Sequence, residues 1–367
     1  MKIPLCKASI GINELNAVKE ILLDENPWLT HGPKNKEFEE NFAKYIGVKY
    51  AVTVNSCASA LLAAIEAYKL KGEIILPSFT HMASAHAIMK AGCKPIFVDI
   101  NKNTFNIDSE KIREKINKNT VAIMPVHFGG QSCEMNEIMK IAEENNLKVI
   151  EDSAECIGGT FDNKKTGSFG IGCFSFFPTK NLTTGEGGMI TSNDDEFIER
   201  IKLLIAHGVV KDKERNWYRD SVIPAYNFRM SNLNAAIGVE QLKKLDLMNE
   251  KRREHADYYN KNIKIKGIKL PIEYNKCKHV YQMYVIKVDK KIRDNLLNYL
   301  RENGIEASVH FDPPVHLQNY YKGNYNLSVT EELCKRVITL PMFPDLSKNK
   351  LDYIIEKVEE GFKKFNS

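Results

Sequence analysis

The feature that most constrains the fold of this chain is a regular alternation of short apolar runs with helical segments through its first two thirds. Several of the runs are continuous hydrophobic stretches, which is typical of strands buried on both faces of a parallel or mixed sheet. The predicted strands are Tyr50–Val54, Ile74–Pro77, Pro95–Ile100, Val121–Val126, Lys148–Asp152, Cys173–Phe177 and Gly188–Ser192, and the helices between them include Ser59–Tyr68, Ala83–Ala91, Glu134–Asn145 and Asp194–Ala206. This order predicts an α/β fold with a three-layer large domain, in which a mainly parallel mixed sheet lies between helices.

A second region begins near Ser231, where the alternation gives way to a different order of elements. The chain has 367 residues, which is too long for one ordinary domain. The later elements are a helix Ser231–Met248 with a Ser N-cap, its charged continuation Asn249–Asn262, a strand Gln282–Asp289, a helix Lys290–Asn303 ended by Gly304, and a last helix Leu351–Phe365. We predict a large domain over residues 1–245 and a smaller α+β C-terminal domain over residues 246–367.

Composition excludes several classes of protein. The 52 basic and 47 acidic residues give a net charge of +5, a mild excess that makes no case for nucleic acid as a partner. No apolar run is long enough to span a membrane, and the start Met1–Pro4 lacks the apolar core of a secretion signal. The eight cysteines form no CxxC pair, so we expect buried thiols in a reducing cytoplasm and no metal centre.

Small polar residues follow the first predicted strand and open a helix. The sequence there is Thr53-Val54-Asn55-Ser56-Cys57. Free N–H groups and the helix dipole attract anions at the start of a helix, and small side chains permit close approach. The segment predicts a phosphate site at Ser56 and Cys57, although a plain Ser N-cap explains the same residues equally well.

Two further segments carry candidate catalytic groups near strand ends. Asp152 ends an apolar run, at the sheet edge where α/β proteins bind ligands; a metal ligand or a helix N-cap is the alternative. Lys180 lies between the aromatic segment Phe174–Phe177 and the Gly-rich turn Gly185–Gly188. Apolar neighbours would disfavour its charged form and free the amine for covalent catalysis, whereas the alternative is an ordinary exposed loop lysine.

One cofactor requires all three groups together. Pyridoxal 5'-phosphate (PLP) needs a lysine for its aldehyde, an acid against its ring nitrogen and a helix N-terminus for its phosphate. The chain supplies Lys180, Asp152 and the Ser56–Cys57 turn, each at or just beyond a predicted strand end. The sequence therefore predicts a PLP site.

Short motifs in a fixed order extend over nearly the whole chain. They are Trp28-Leu29-Thr30-His31-Gly32, Phe38-Glu39, Pro77-Ser78-Phe79-Thr80, the Asp152 and Lys180 segments, Gly185-Glu186-Gly187-Gly188, His207-Gly208, Tyr226-Asn227-Phe228-Arg229-Met230, Ala235-Ala236-Ile237-Gly238 and Gln241-Leu242. In this order and number they resemble the DegT-type nucleotide-sugar aminotransferases, which belong to fold type I of the PLP enzymes, the aspartate aminotransferase superfamily. The resemblance implies a fold-type I PLP transferase.

The resemblance also implies roles around the cofactor. His81 matches the residue that stacks on the pyridine ring, a position that is often aromatic. Ser175 matches a hydroxyl donor to the phosphate, and Glu155 matches a polar residue near the ring hydroxyl. Cys57 occupies a position usually given to Thr, so its backbone N–H rather than its side chain serves the phosphate. Asn227 matches an amide that reaches the phosphate of the neighbouring subunit, which implies an obligate homodimer with shared active sites.

Substrate contacts follow from the same resemblance. In this family the loop matching Val309–Gln318 lies beside the sugar nucleotide, so His310 and His316 are candidates, although a lone histidine is more often structural. Thr30 and Arg229, within two of the matching motifs, complete the candidate set.

The implied activity is amino transfer from L-glutamate to a nucleotide-linked keto-(deoxy)sugar, with pyridoxamine 5'-phosphate as the intermediate form of the cofactor. The phosphate loop and Gly185–Gly188 favour a C4 ketone, and a C3-keto sugar or keto-cyclitol stays open. The aminosugar would serve polysaccharide or lipopolysaccharide biosynthesis.

Three other functions are alternatives to amino transfer. A related dehydratase of the same fold carries His where Lys180 stands, so the lysine argues against it. A non-catalytic PLP-binding regulator gives no reason to keep Lys180 with Asp152, and a dinucleotide-dependent oxidoreductase needs a G-x-G-x-x-G turn that Asn55–Ser59 lacks.

Overall fold

The computed structural model describes residues 1–212, 214–215 and 217–366. Its α-helices are α1 Ile12–Leu22, α2 Pro33–Ile46, α3 Cys57–Ala67, α4 Met82–Lys90, α5 Ser109–Arg113, α6 Met135–Glu144, α7 Asp195–Leu204, α8 Asn232–Lys243, α9 Leu245–Asn262, α10 Arg293–Glu302, α11 Ser328–Leu333 and α12 Lys348–Phe365. Its strands are β1 Tyr50–Val54, β2 Glu73–Pro77, β3 Lys94–Val98, β4 Thr120–Ile123, β5 Lys148–Asp152, β6 Thr160–Phe161, β7 Lys164–Lys165, β8 Ile171–Ser175, β9 Gly188–Ser192, β10 Val209–Lys211, β11 Arg219–Ser221, β12 Cys277–Lys278, β13 Tyr284–Lys287 and β14 Val337–Leu340. Short 3₁₀ turns lie at Phe128–Gly130 and Val315–Leu317.

The seven apolar runs predicted from the sequence form one seven-stranded sheet, in the order β1-β9-β8-β5-β4-β2-β3. Strand β9 is antiparallel to both of its neighbours, β1 and β8. The pairs β8–β5, β5–β4, β4–β2 and β2–β3 are parallel. The sheet is therefore mixed and mainly parallel, as predicted, and β1, β2, β5 and β8 all point their carboxyl ends to the same edge.

Helices cover both faces of the sheet, because successive side chains of each strand point to opposite sides. On one face Leu61 and Ile65 of α3 pack with Ile88 of α4 and Ile201 of α7 against the strands. On the other face α2 and α8 pack through an aromatic cluster centred on Phe42. Helix α6 covers the same face further along the sheet. This arrangement confirms the three-layer α/β domain.

A separate core forms around β13, β14, α9, α10 and α12. Its buried residues include Tyr259, Tyr284, Leu296 and Ile354, and β13 pairs with β14 in antiparallel register. The N-terminal Ile3 lies in this core and pairs with Ile305 through a parallel bridge. The first residues of the chain thus pack with its C-terminal part, a contact that the sequence pattern does not reveal, and the boundary at residue 245 stays a prediction.

The long helix predicted after Ser231 is divided into two. Ser231 caps α8 as predicted, because its Oγ accepts a hydrogen bond from the backbone N–H of Asn234. Lys244 then has φ −111° and ψ 3°, which is not helical, and α9 begins at Leu245. The predicted continuous helix Ser231–Met248 was wrong at this point, since its apolar pattern runs through both helices.

None of the helices in the described part of the chain combines the length with the apolar character that crossing a bilayer requires. All eight cysteines are free thiols, and six of them are buried.

We predict that Gly238→Ala destabilises the protein by about 1–3 kcal/mol. Alanine in a helix interior normally gains up to about 1 kcal/mol over glycine. Here a Cβ on Gly238 of α8 would lie 2.4 Å from the ring of Phe38 on α2, so overpacking reverses the sign. Urea unfolding of both proteins measures the difference. Gly11→Ala, at the N-cap of α1, is the control without overpacking, because the nearest atom to its added Cβ lies 3.9 Å away and only the loss of a favourable N-cap residue is expected there; a stability loss for Gly238→Ala no larger than that of Gly11→Ala would contradict the prediction.

Candidate active site

A cavity of about 440 Å³ opens at the sheet edge where β1, β2, β5 and β8 end. The turn after each of these strands contributes lining residues: Ser56 and Cys57 after β1, Thr80 and His81 after β2, Asp152, Ala154 and Glu155 at β5, and Ser175 and Lys180 at β8. The C-terminal part closes the cavity with Gln282, Met283, His310, Phe311, Thr339 and Met342, and the N-terminal segment adds Leu5 and Cys6. Eight of the predicted site residues thus line one cavity.

Asp152 lies at the floor of this cavity, with only 5% of its surface exposed. Its Oδ2 accepts a hydrogen bond of 2.7 Å from Ser84 Oγ, and its Oδ1 accepts one of 3.2 Å from the backbone N–H of Ala154. Burial raises the pKa of Asp152, and the hydrogen bond from Ser84 lowers it in part. A cationic partner inside the cavity would favour the carboxylate, because an opposite charge stabilises the ionised form.

Lys180 extends from the turn after β8, and its backbone N–H donates to the carbonyl of Phe177. Its Nζ lies 3.6 Å from Glu155 Oε1, and both side chains are largely buried. The other carboxylate oxygen, Glu155 Oε2, accepts a 2.9 Å hydrogen bond from the backbone N–H of Gly129. The aromatic surroundings predicted for the lysine are therefore incomplete, since Glu155 faces its amine and Phe177 remains 44% exposed.

The first turn of α3 forms the end of the cavity nearest β1. Ser56 is the N-cap of this helix, and its Oγ accepts a hydrogen bond of 3.1 Å from the backbone N–H of Ser59. The next two amides, of Cys57 and Ala58, belong to the helix positions that have no carbonyl partner within the helix. Both residues line the cavity, as does Ser175. These groups can bind an anion at the helix N-terminus.

Two histidines lie on the cavity wall. His81 is the N-cap of α4, where its Nδ1 accepts a hydrogen bond from the backbone N–H of Ala83. His310 Nδ1 lies 2.9 Å from Thr339 Oγ1. Burial lowers the pKa of both, and the charge of Lys180 lowers the pKa of His81 further. Both imidazoles are therefore neutral near pH 7, and His81 offers a flat uncharged surface.

Four predicted residues do not reach the cavity of their own chain. Thr30, Asn227 and Arg229 are exposed side chains. The backbone carbonyl of Thr30 accepts a hydrogen bond from the N–H of Asn232. The Arg229 side chain donates to Asn227 Oδ1 at 3.0 Å and lies 3.2 Å from Nε2 of His207. We call these three exposed residues the polar patch; Arg229 pairs with Val54, the last residue of β1, two residues before Ser56 of the cavity lining.

The fourth, His316, is only 1% exposed and lies behind the cavity. Its Nδ1 lies 2.6 Å from Ser78 Oγ, and its Nε2 lies 3.4 Å from Glu331 Oε1. This position corrects the prediction that His316 contacts substrate directly, because both ring nitrogens already face protein partners.

Sequence reasoning missed several residues around the site. Ser84, two residues into the α4 helix, orients Asp152. Gln282 lines the cavity and donates from Nε2 to the carbonyl of Thr179, which precedes the lysine. Leu5 and Cys6 come from the far end of the chain. Only Ser84 could have been found from the local sequence, because it is a small polar residue near a helix start, four residues after Thr80. The other contacts join distant segments.

The cavity fits PLP. Its floor carries one buried carboxylate, Asp152, for the ring nitrogen, and the turn after β8 supplies the primary amine of Lys180. The open helix amides of Cys57 and Ala58 can bind the phosphate, and neutral His81 can cover the ring. Each requirement of the cofactor is met by a residue of the same cavity.

Comparison with known proteins agrees with this geometry. Residues 8–359 match the model of the DegT/DnrJ/EryC1/StrS aminotransferase family. The chain is 37% identical to the spore coat polysaccharide biosynthesis protein SpsC of Bacillus subtilis (strain 168), over 98% of this chain and 96% of the relative. It is 36% identical to the UDP-4-amino-4,6-dideoxy-N-acetyl-β-L-altrosamine transaminase of Campylobacter jejuni, over 96% of this chain and 98% of that protein.

Solved structures of lower sequence identity have the same fold. Helicobacter pylori PseC, an aminotransferase involved in the biosynthesis of pseudoaminic acid, superposes with a TM-score of 0.95 at 29% identity, covering 100% of both chains. The PLP form of the putative sugar aminotransferase Spr1654 from Streptococcus pneumoniae superposes with a TM-score of 0.93 at 27% identity, also covering 100% of both chains. The chain therefore belongs to the DegT/DnrJ/EryC1/StrS family and is a PLP-dependent sugar aminotransferase of fold type I.

Proposed function

We propose that this enzyme transfers the amino group of L-glutamate to C4 of a nucleotide-linked keto-(deoxy)sugar. The observation that carries the proposal is the meeting of Lys180, Asp152 and the α3 N-terminus in one cavity. The C4 position is supported by the relative from Campylobacter jejuni, whose name describes a UDP-linked 4-amino sugar. The loop with Asn55–Ala58 and the Gly185–Gly188 turn favour the same position.

The residues of this chain divide the work of amino transfer. PLP, when bound, supplies the electron sink that stabilises negative charge at the α-carbon of the amino donor. Lys180 Nζ holds the cofactor covalently and, once free, removes the proton from that α-carbon as a general base. Asp152 keeps the ring nitrogen protonated by pairing with it as a carboxylate. The amides at the start of α3 and the Ser175 hydroxyl bind the phosphate.

Glu155 positions the lysine. Its carboxylate is fixed by the N–H of Gly129 and lies 3.6 Å from Lys180 Nζ, so it orients the amine toward the cavity. The backbone of the lysine turn is held as well, because Gln282 donates to the carbonyl of Thr179. The base is thereby presented in one position, as efficient proton transfer requires.

Charge balance supports a homodimer with shared active sites. Among the described residues that line the cavity, Lys180 is the single lysine or arginine, facing Asp152, Glu155 and Glu186. The α3 amides can bind the cofactor phosphate, but the charged side chains of this described lining leave no cation for the additional phosphates of a sugar nucleotide. Arg229, by contrast, is exposed, and in the described part of the chain its side chain has no carboxylate partner. We expect Asn227 and Arg229 to complete the site of a second subunit.

Exposed apolar side chains lie close in sequence to the same motifs. They include Trp28, Leu29, Phe177 and, on α1, Leu15 and Leu22. Apolar exposure of this kind marks a surface for association. We expect the two subunits to associate through these side chains, with Asn227 and Arg229 of each subunit directed to the cavity of the other.

The first test uses the pyridoxamine form of the enzyme and a panel of nucleotide-linked 4-keto and 3-keto sugars. We expect conversion of a 4-keto sugar to the 4-amino product, and formation of 2-oxoglutarate when L-glutamate reloads the enzyme. Lys180→Ala should reduce turnover by at least about 100-fold, because the general base is lost. Mass spectrometry and NMR identify the product.

Borohydride reduction followed by peptide mapping accompanies this experiment. We expect the label on Lys180 in the wild type and in Lys140→Ala, which changes an exposed lysine of α6. A label on another side chain would overturn the catalytic assignment, whereas a 3-amino product would overturn only the choice of C4.

We predict that Asp152→Asn separates stability from catalysis. Burial raises the pKa of Asp152 above its unfolded value, so ionisation costs stability as the pH rises through the unfolded pKa. Asn removes this cost, and its amide can still satisfy Ser84 and Ala154. The cofactor-free variant should melt at a temperature at least as high as wild type at pH 7, with the difference shrinking toward pH 4. Activity should fall by at least about 100-fold; a less stable but active variant would contradict the prediction.

The shared site predicts complementation between two inactive proteins. In a mixed dimer of Lys180→Ala and Asn227→Ala/Arg229→Ala, one site combines an intact lysine with an intact polar patch, and the other has neither. Refolding the two variants together should restore about a quarter of wild-type activity, since half the dimers are mixed and each has one complete site. Steady-state assays measure this recovery. No recovery from mixed dimers verified by affinity tags would show that each chain completes its own site.

A further inference from the structure

The C-terminal loop 309–318 is attached to the turn after β2 at one buried point. The backbone N–H of Val315 donates to the carbonyl of Ser78 at 3.1 Å, and the N–H of His316 donates to Ser78 Oγ at 3.0 Å. The imidazole Nδ1 of His316 lies 2.6 Å from the same hydroxyl. Ser78 has no exposed surface, and His316 has 1%. Three contacts therefore converge on one serine.

These contacts favour one tautomer of His316. Ser78 Oγ accepts from the backbone N–H of His316, which leaves its own proton to donate to Nδ1. Nδ1 is then an acceptor, and the ring proton is on Nε2, which faces Glu331 Oε1 at 3.4 Å. Burial lowers the pKa of His316, in agreement with a neutral ring. The imidazole thus relays one hydrogen-bond chain from Ser78 to Glu331.

The hydrogen bonds that run from Ser78 through His316 end at Glu331 of α11, and α11 is itself attached to the end of β3. Glu331 Oε1 also accepts from the N–H of Leu327, just before α11. Asp99, directly after β3, accepts from the N–H groups of Val329 and Thr330 at 2.9 and 2.7 Å. The segment from residue 309 to α11 is therefore attached to the exits of both β2 and β3, with His316 between the two attachments.

The attachment at Ser78 lies close to residues of the cavity wall. Ser78 precedes Thr80 and His81, which line the cavity after β2. His310 and Phe311, at the other end of the loop, line the same cavity. Phe311 contacts the ring of Phe79 at a centroid distance of 6.0 Å and that of His81 at 6.4 Å. The loop therefore meets the turn after β2 at two places, through His316 at Ser78 and through Phe311 at Phe79 and His81.

We propose that His316 is a positioning residue for the sugar acceptor: its hydrogen bonds to Ser78 and Glu331 hold loop 309–318 so that His310 and Phe311 form the acceptor side of the cavity. This inference rests on the proposed sugar aminotransferase reaction. It assigns His316 no contact with the cofactor or the amino donor, because Lys180, Asp152 and the α3 turn lie on other elements, and His81 is held by its own hydrogen bond from the N–H of Ala83. Its loss should affect the sugar half-reaction and spare the glutamate half-reaction.

The experiment compares His316→Ala, His316→Asn and His316→Gln in the cofactor-loaded enzyme. Asn keeps a polar atom near the position of Nδ1 and can retain the bond to Ser78, whereas Gln reaches toward Glu331. Single-turnover kinetics are measured with L-glutamate and, separately, with the 4-keto precursor of UDP-4-amino-4,6-dideoxy-N-acetyl-β-L-altrosamine. For His316→Ala we expect the apparent KM for the keto sugar to rise by about tenfold or more, with the glutamate rate within about threefold of wild type. His316→Asn should recover most of this loss, and His316→Gln less.

Amide hydrogen exchange tests the attachment without any substrate. Loop 309–318 should exchange faster in His316→Ala, while α9 is unchanged. His255→Ala is the matched control, because this half-buried histidine of α9 lies 3.1 Å from a backbone carbonyl, that of Pro344, outside the cavity lining. It should leave both half-reactions and the loop unchanged.

Equal losses in both half-reactions, or unchanged exchange in the loop, would overturn the role of His316. Borohydride labelling of Lys180 is followed in every variant. Absence of that label in the wild type would instead refute the proposed reaction, so the two failures are distinguishable.

Discussion

The buried carboxylate of Glu151 is the constraint on which the site depends. It has no exposed surface, and it accepts four hydrogen bonds: from His127 Nε2 at 3.1 Å, and at 2.8 Å each from the backbone N–H groups of Gly167, Phe169 and Gly170. A buried charge is tolerable only when it is satisfied in this way. The bonds tie the segment after β4 and the turn before β8 to the end of β5. Asp152, the next residue, and Glu155, four residues after Glu151, are fixed relative to the lysine by the same carboxylate.

The strands of the large domain could be predicted because each is buried on both faces. Such strands are nearly uniform in apolar character, and β1, β5 and β9 begin and end at the predicted residues. Site residues at strand exits could be predicted for a related reason. A polar residue directly after a buried strand, such as Asp152, is brought by the parallel topology to the same edge as the turns after β1, β2 and β8.

The remaining features depend on contacts between distant segments, which no local pattern encodes. Glu155 could be placed near the cofactor only through the family resemblance, and nothing in the sequence indicates that it faces Lys180. The packing of Ile3 against the C-terminal core and the position of Cys6 on the cavity wall join residues about 300 positions apart. For His316 the motif indicates a functional position, but the local sequence does not show whether the imidazole faces substrate or protein.

The buried thiol of Cys57 lies next to the carboxylate of Asp152, and burial keeps the two groups compatible. Its Sγ lies 3.9 Å from Asp152 Oδ1, so a thiolate there would repel the carboxylate that the ring nitrogen needs. Burial, and then the charge of Asp152, raise the pKa of the Cys57 thiol well above its ordinary value, which keeps it protonated and able to donate weakly to that carboxylate. The side chain is thereby directed toward Asp152, and the backbone N–H at the start of α3 has no partner within the helix, as the proposed phosphate site requires. A cysteine can therefore occupy a position usually given to threonine because its polar role is carried by the backbone.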